Sequence, residues 1–491
     1  MSGKKEKTQK QNIRSGLETF NLPKSNFSDW YDAIMDAAEI VDRRYPVKGA
    51  PVLRPYGFFM HNAIMRKIED DYAEQGIQQS LFPTLIPRSF LAKEAEHIKG
   101  FESECYWCDR GGLDALEEPL ALRPTSETAI YSMFALWTRS FRDLPLKIHQ
   151  TCSVFRFETK NTRPLIRVRE IPWNEAHTAH ATREEALAQM KIYWEVYLSV
   201  FEAMGFYGQK LVRAPWDKFA GAEHTEVLDV VMPCGKVLQT AGIHFLGQKF
   251  AKVFNIKFID QNNTQQFAEM TCAGISTRAL ACALSVHGDQ KGLMLPSLIA
   301  MYQVVLVPCG KYGDDLVLKM KEIQQTLKAA GIRSFFDDSK KSMGEKIFHW
   351  EMKGVPLRIE LGPRDLESGD FVAICRDTGK DGKQVFKVQD IAAVARDQLA
   401  QYDSRLRAAG RAFATERCAT CRTLAEAQAA VPSGFARVPL AELEQSLEEA
   451  FKKLVVGAEI RGYDPEAACE GELCVVTGAP AKFWCFVARA Y

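Results

Sequence analysis

The chain has 491 residues, too many for one hydrophobic core, so we expect about two to four domains. Hydrophobic residues make up 46% of it and charged residues 25%, which excludes a disordered or fibrous protein. The 63 Lys and Arg residues nearly balance the 62 Asp and Glu residues, so any surface that binds nucleic acid must be local. No apolar run approaches the roughly 20 residues of a membrane-spanning helix, and no membrane partner is expected.

The 13 cysteines are odd in number, irregularly spaced and without a preceding signal sequence, so we expect free thiols in a cytoplasm. Cys105 and Cys108 form one Cys-x-x-Cys pair, and Cys418 and Cys421 form another. Neither has a second pair at zinc-ribbon spacing, which favours free thiols over zinc. The polar, basic residues 1–25 are predicted to be a disordered tail.

Apolar residues at helical spacing predict a helix within residues 26–50 and a second within residues 55–76. The next segment, SLFPTLIP, is predicted to be a strand. Its Pro83 and Pro87 suit an edge or an interface, because proline cannot donate to a central ladder.

A further helix is predicted to begin within residues 121–142, where Thr125 or Ser126 can cap the first turn. Glu127 lies in that turn, where an acidic side chain ordinarily serves as part of the cap. Alternatively, Thr125 and Glu127 accept hydrogen bonds from the ammonium group of a substrate.

Residues 152–180 contain two apolar runs, CSVFRF and PLIRVREI, separated by the polar segment TKNTR, which predicts two antiparallel strands and a loop. Arg156 and Glu158 are two residues apart and would project from one face of the first strand. A guanidinium group there can bind a phosphate, while a carboxylate can accept from a nucleobase amine. The alternative is a surface hairpin with compensating charges.

A helical stretch ends at Gly205, and the strand-rich residues 210–300, including AKVFNIKFID, predict an antiparallel sheet. Arg278 begins an apolar helix, where its charge needs a partner, either a ligand phosphate or a buried acid. Strands and helices then alternate over residues 301–401, which predicts a separate α/β domain. Residues 402–491 form a third unit with a long helix and a final strand, KFWCFVARAY.

Eight segments resemble, in order, the signature motifs of class II aminoacyl-tRNA synthetases, and specifically those of prolyl-tRNA synthetases of the archaeal and eukaryotic type. They are RPTSET, FRFETKNTRPLIRVRE, NEAHTAHAT, WDKFAGAEHT, HFLGQKF, GISTR, HGDQKGLMLP and WEMKGVPLRIELGPRDLE. The resemblance implies an α+β catalytic domain over residues 26–300, with an antiparallel sheet flanked by helices. An α/β anticodon-binding domain would follow over 301–401, and a small α+β C-terminal domain over 402–491 would end at Tyr491, directed toward the active site.

The resemblance also implies ATP-dependent activation of proline and its transfer to proline tRNA through an aminoacyl-adenylate. The cofactors would be ATP and Mg²⁺, and the protein would be a cytoplasmic homodimer with Pro83 in its interface. The catalytic residues would be Arg156 and Arg278, and the ATP-binding residues would be Arg156, Glu158, Arg167, Gln239, Ser276 and Arg278. Proline would be bound by Thr125, Glu127, Arg156, Trp173, Glu175, His177, Phe219, Gly242, His244 and Ala273. The tRNA anticodon would be read by Glu351, Arg358 and Asp365.

The chain departs from the family pattern in three places. Bacterial-type relatives carry a large editing insertion between the motif that contains Arg156 and the motif that contains Arg278. This insertion is absent here. Many relatives hold a zinc ion with four cysteines, and in this chain only Cys474 matches one of them. We therefore predict no structural zinc and no metal held by protein side chains alone. Gly242 and Ala273 stand where relatives usually have Thr and an aromatic residue.

These two small residues suggest an enlarged pocket, which costs on the order of 3–5 kcal/mol of packing if left empty. The first alternative is therefore a paralogue that activates a bulkier proline analogue or resists a proline-mimicking inhibitor. The second is a catalytically inactive tRNA-binding or regulatory protein, against which the retained Arg156, Glu158 and Arg278 argue.

Overall fold

The computed structural model describes residues 20–93, 104–158 and 161–491. In chain order its strands are β1 (Val41–Asp42), β2 (Val52–Leu53), β3 (Gln78–Gln79), β4 (Leu85–Pro87), β5 (Tyr106–Gly111), β6 (Asp114–Leu122), β7 (Leu146–Phe155), β8 (Glu170–His180), β9 (Gln209–Val212), β10 (His224–Val231), β11 (Lys236–Gly247), β12 (Lys257–Ile259), β13 (Gln265–Phe267), β14 (Glu269–Ser276), β15 (Val304–Pro308), β16 (Ser334–Phe336), β17 (Leu357–Leu361), β18 (Asp370–Cys375), β19 (Gln384–Lys387), β20 (Cys418–Thr420), β21 (Phe435–Leu440), β22 (Ala458–Asp464) and β23 (Phe483–Ala490).

Its helices are α1 (Phe27–Ala37), α2 (Pro55–Glu74), α3 (Arg88–Ala92), α4 (Glu127–Trp137), α5 (Arg183–Met204), α6 (Lys249–Phe254), α7 (Arg278–His287), α8 (Asp314–Ala329), α9 (Met343–Lys353), α10 (Pro363–Ser368), α11 (Ile391–Glu416), α12 (Leu424–Ala430) and α13 (Gln445–Leu454). Across the described ranges, no helix combines the length and the apolar character that crossing a bilayer requires. Residues 1–19 of the predicted tail lie outside the described residues.

The described chain forms two compact units. The larger comprises residues 41–286 and 407–491 and is built on an eleven-stranded sheet with the order β20-β21-β23-β22-β9-β10-β11-β14-β8-β7-β3. The strands from β9 through β7 in this order pair antiparallel, as predicted. The C-terminal strands β20 to β23 extend the same sheet rather than forming their own.

The smaller unit comprises residues 287–406 together with residues 20–40 of the described chain. Its five-stranded sheet has the order β16-β15-β17-β18-β19, with β15 parallel to both of its neighbours and the remaining pairs antiparallel. The buried strand residues Val304, Leu306 and Leu357 pack in one core with helices α8 and α11. The predicted α/β alternation is therefore confirmed.

Helix α11 continues across the predicted domain boundary at 401/402, and the compact units divide elsewhere, at 286/287 and 406/407. The division of the chain into catalytic, anticodon-binding and C-terminal domains at residues 301 and 402 stays a prediction.

The predicted strand PLIRVREI is wrong. Pro164 has no N–H, Leu165 adopts φ +61°, and the Arg167 N–H bonds to the Arg163 carbonyl, so this segment is a turn and the strand begins at Glu170. Arg156 and Glu158 likewise follow the end of β7 rather than lying on it.

Two other local predictions also need correction. AKVFNIKFID contains the short helix α6, which ends where Asn255 adopts φ 60°, and only its later residues form β12. Of SLFPTLIP, only Leu85–Pro87 forms a strand. Helix α5 is as predicted: the Thr182 hydroxyl accepts from the Glu185 N–H, and Gly205 at φ 67° ends it.

Candidate active site

A cavity of about 420 Å³ opens in the larger unit over strands β8, β11 and β14. The sequence assigns ATP or amino-acid binding to fifteen residues of the larger unit, and all of them line this cavity. These residues are Thr125, Glu127, Arg156, Glu158, Arg167, Trp173, Glu175, His177, Phe219, Gln239, Gly242, His244, Ala273, Ser276 and Arg278. The fold thus collects into one cavity side chains from segments up to 153 positions apart.

Three arginines, Arg156, Arg167 and Arg278, give one part of this cavity a concentrated positive charge. Burial, followed by the charges of Arg156 and Arg167, lowers the pKa of Arg278 to about 10. Clustered cations of this kind attract an anion, and guanidinium groups match phosphate oxygens in geometry. This part of the cavity can therefore hold a polyphosphate.

Backbone carbonyls fix the arginine side chains. Arg156 Nε donates to the Pro124 carbonyl at 3.1 Å, and Arg278 Nε donates to that of Ile166 at 2.9 Å. Arg167 Nη2 donates to the Tyr491 carbonyl at 2.9 Å, so Tyr491 lies beside the cavity. Preset arginines lose little freedom when a ligand binds.

Glu127 is the first residue of helix α4, where the helix dipole favours a negative charge. The Thr125 hydroxyl donates to its carboxylate, and the Cys272 thiol lies 3.7 Å from its Oε1. Ser126 occupies the capping position, but its hydroxyl donates to Glu175 instead of capping the helix, so the predicted cap is wrong. Glu127 offers a buried acceptor that suits an ammonium group.

Glu175 and His177 lie two residues apart on β8 and form a buried pair. Only 2% of the Glu175 side chain and 1% of the His177 side chain are exposed. His177 Nε2 lies 3.0 Å from Glu175 Oε2, and its Nδ1 lies 3.1 Å from the Tyr131 hydroxyl. Burial disfavours both charges, but the hydrogen bond and mutual attraction prevail, raising the pKa of His177 and lowering the pKa of Glu175. The pairing therefore favours the ionised form of both side chains, and the two hydrogen bonds fix the His177 ring.

Glu127, His177 and Cys272 place ligand atoms within 4.8 Å of one another, close enough to hold a metal ion. Both ring nitrogens of His177 already have hydrogen-bond partners. Burial, followed by the charges of Glu127 and Glu175, raises the pKa of the Cys272 thiol. We interpret the cluster as a hydrogen-bonded wall of the pocket.

Phe219 and His244 also line the cavity, with their ring centroids 4.6 Å apart. Burial, then the charge of His177, lowers the pKa of His244 to about 3, so the ring is neutral and pairs with the Thr225 hydroxyl at 2.9 Å. A Cβ atom at Gly242 would lie 3.2 Å from both Gln239 Nε2 and His244 Nε2. Neighbouring side chains therefore already occupy much of the space beside Gly242.

The sequence assigned no role to several polar lining residues: Glu104, Arg213, Asp217, Lys218, Thr225 and Cys272. Asp217, Lys218 and Thr225 nevertheless belong to the motif segment WDKFAGAEHT. Arg213 follows the apolar run of β9, and a cation at such a strand end is the one hint that could have drawn attention to it.

Family models match most of the described chain. The tRNA synthetase class II core domain (G, H, P, S and T) matches residues 106–287, and the anticodon binding domain matches residues 303–401.

The proline–tRNA ligase of Methanopyrus kandleri is 43% identical over 471 residues, which cover 95% of this chain and 96% of that protein. The chain belongs to the proline–tRNA ligase family. The proline–tRNA ligase of Methanosarcina mazei is 44% identical over 479 residues, covering 96% and 98%. A solved structure, Giardia lamblia prolyl-tRNA synthetase in complex with prolyl-adenylate, is similar with a TM-score of 0.94 and 52% identity over 96% of this chain and all (100%) of that one. The family and fold class expected from the motifs are confirmed.

In the smaller unit of this proline–tRNA ligase family member, Arg358 on β17 is buried between two carboxylates. Its Nε donates to Glu360 Oε1 at 2.9 Å, and its Nη1 lies 3.6 Å from Glu351 Oε1. Asp365 accepts from the Gly362 N–H at 2.8 Å at the start of α10. The structure brings Glu351 and Arg358 together, and it adds Glu360, which the sequence did not indicate.

Proposed function

We propose that the chain activates proline with ATP and transfers it to proline tRNA. The observation that carries this proposal is the single cavity that joins an arginine-lined part to a pocket with a buried carboxylate. An anionic nucleotide suits the first part, and an amino acid with its ammonium group suits the second. The similar Giardia lamblia protein holds a prolyl-adenylate, a ligand with both halves.

In the proposed first step, a proline carboxylate oxygen attacks the α-phosphorus of ATP, and pyrophosphate leaves as the prolyl-adenylate forms. In the second, a terminal ribose hydroxyl of the tRNA attacks the prolyl carbonyl, and AMP leaves with the bonding electrons. Such reactions need positioning and charge stabilisation more than a protein nucleophile.

The resemblance to the family's motifs implies a role for each ligand-binding residue. Arg156 would bind the α-phosphate and Arg278 the γ-phosphate, with Gln239 and Ser276 beside the nucleotide and Glu158 accepting from the adenine amine. Thr125 and Glu127 would accept from the proline nitrogen. Mg²⁺ supplies countercharge to phosphates when bound, and the cavity carboxylate of Glu104 offers the kind of oxygen ligand that it prefers.

ATP–pyrophosphate exchange tests the proposed substrate. Across proline, its ring-substituted analogues and the other standard amino acids, we expect the highest kcat/KM with proline. An enlarged pocket at Gly242 and Ala273 predicts instead a bulkier analogue as the best substrate, or resistance to proline-mimicking inhibitors. Absence of exchange with every amino acid would favour the inactive tRNA-binding alternative.

We propose that Arg358, Glu351 and Asp365 read the proline tRNA anticodon, because guanidinium and carboxylate groups match the acceptor and donor edges of guanine. The two carboxylates that hold Arg358 support a fixed orientation of its fork.

Arg358→Ala is expected to lower kcat/KM for tRNA charging by about 10- to 100-fold, the loss of one bidentate base contact, and to leave proline-dependent exchange unchanged. Arg396→Ala is the matched control, because Arg396 is an exposed arginine of the same unit and donates to the Ala330 carbonyl. Equal losses of charging and exchange would contradict the anticodon role.

We propose that the protein is a homodimer. Apolar side chains beside Pro83 and at the end of helix α4 are exposed, notably Leu81 (83%), Leu136 (61%) and Trp137 (43%). A cluster of this kind favours a protein interface. A sedimentation mass of one 55.3 kDa chain at micromolar concentration would contradict it.

We also propose a reducing compartment, the cytoplasm, because the 13 cysteines are odd in number and irregularly spaced. The prediction of no structural zinc is supported by Cys421, Cys474 and Cys485, which pack in the apolar core formed by the C-terminal residues. Zinc content measured on the purified protein tests it, since one zinc per chain would contradict the prediction.

A further inference from the structure

A buried cluster of charges lies beside the cavity, and one of its members, Arg213, also lines it. Asp229 on β10 is completely buried, and Arg213 and Arg461 are 4% and 8% exposed. Arg213 forms two hydrogen bonds to Asp229, at 2.9 and 3.1 Å, and Arg461 Nε donates to the same carboxylate at 2.9 Å. One buried carboxylate thus joins two arginines that are 248 residues apart in the chain.

Two β-bulges shape this cluster. The register of β10 shifts between Leu228 and Asp229, and that of β22 shifts between Ile460 and Gly462. The second bulge lets the Arg461 carbonyl accept from Arg213 Nη1. Gly462 adopts φ +135°, and a Cβ there would lie 2.4 Å from the Val212 carbonyl oxygen, so only glycine fits. Bulges that redirect side chains in this way are common beside active sites.

The cluster reaches the cavity through Gln239. Arg213 Nη2 donates to Gln239 Oε1 at 2.9 Å, and because arginine has no acceptor, the amide oxygen must face it. The Nε2 donor is then turned away from Arg213. Arg278 Nη1 approaches the Gln239 carbonyl at 3.5 Å, which places this residue next to the arginine-lined part of the cavity.

Charges around the cluster are nearly balanced. Arg213 Nε lies 3.5 Å from the partly exposed Asp217, and Arg461 Nη1 lies 2.9 Å from the partly exposed Glu459. Removing Arg461 would leave Asp229 with one arginine partner instead of two, in surroundings where a buried charge depends on its partners. The Arg213 side chain would then move together with the Asp229 carboxylate, and the Gln239 amide would lose its fixed orientation.

We propose that Arg461, on the C-terminal strand β22, is a positioning residue for the nucleotide: through Asp229 and Arg213 it holds the Gln239 amide so that Nε2 donates to an oxygen atom of ATP. This proposal rests on the proposed function. It makes the C-terminal residues part of the support of the ATP site, although none of them lines the cavity.

Arg461→Met tests the proposal by a double-mutant cycle with Gln239→Ala in the exchange assay. We expect Arg461→Met to raise KM for ATP roughly tenfold in the unsubstituted background, and less than twofold when Gln239 is already alanine. KM for proline should change little. Arg461→Lys should restore part of the ATP affinity, because lysine keeps a positive charge beside Asp229 but lacks the planar guanidinium group of arginine.

Arg489→Met is the matched control, because Arg489 lies on the neighbouring strand β23 and donates to the Cys234 and Pro432 carbonyls. It should lower Tm without changing KM for ATP. Equal effects of Arg461→Met in both backgrounds, or a similar rise in KM for ATP with Arg489→Met, would overturn the proposal. Absence of proline-dependent exchange in the unsubstituted protein would refute the proposed function instead, and the same cycle measured on the Kd for ATP by calorimetry would then decide the role of Arg461.

Discussion

Arg156→Ala is expected to lower kcat of proline-dependent ATP–pyrophosphate exchange by about 10³-fold or more. Loss of one fixed donor at a developing charge typically costs about 10²- to 10³-fold, and Arg156 also carries a full charge in a cavity with low solvent access. Its Nε anchor on Pro124 sets the direction of the guanidinium group, so neighbouring side chains cannot readily replace it.

Arg156→Lys should recover only part of this loss, because an ammonium group cannot form two parallel hydrogen bonds to phosphate. The control is Arg183→Ala, since Arg183 pairs with Glu223 at 2.8 Å and both side chains are about half exposed. This variant should keep normal exchange kinetics. A decrease below tenfold for Arg156→Ala would contradict the catalytic role.

Glu175→Gln is expected to lower the free energy of unfolding by about 3–5 kcal/mol, the cost of breaking a buried ion pair. The sign of its pH dependence follows from the two shifts. Glu175 has a pKa below its ordinary 4.5, so its stabilisation is present above pH 4.5 and is lost as the pH falls through the lowered value. His177 has a pKa above its ordinary 6.5, so its stabilisation is complete below pH 6.5 and is lost as the pH rises through the raised value.

The difference in stability between the unsubstituted protein and Glu175→Gln should therefore be largest between pH 4.5 and 6.5 and should shrink on either side. Urea unfolding at several pH values measures it. Glu202→Gln serves as the control because Glu202 pairs with Arg411 at the surface, and it should change stability by no more than about 1 kcal/mol. A loss with Glu175→Gln that is independent of pH would show that the pair is not ionised.

The sequence predicted the type of most elements because alternation and helical spacing are local patterns. It failed where a short segment has a context that local patterns do not encode. AKVF became helix α6, and the run at Pro164 became a turn. Ser126 is a residue type that commonly caps helices, but its hydroxyl donates a hydrogen bond to the buried Glu175, 49 residues further along the chain.

The ligand-binding residues were predictable because they belong to ordered motifs, and all of those in the larger unit line the cavity. The residues that hold these ligand-binding residues in place could not be predicted from the sequence. Arg461 and Asp229 meet only because β22 pairs with β9 at Tyr463 and Val212, and neither residue has a neighbour in sequence that marks this contact. Glu360 supports Arg358 in the same way from two residues along β17, where it reads as an ordinary strand residue.

The pairing of β23 with β11 and of β22 with β9 also has a consequence for synthesis on the ribosome. The strands that form the cavity floor leave the exit tunnel long before β22 and β23 are translated. At about 5–20 residues per second, tens of seconds separate the two events. During that interval the edge of β9 and the carboxylate of Asp229 lack the partners that β22 brings. The nascent chain is therefore open to chaperone binding at this edge until the last strands of the sheet arrive.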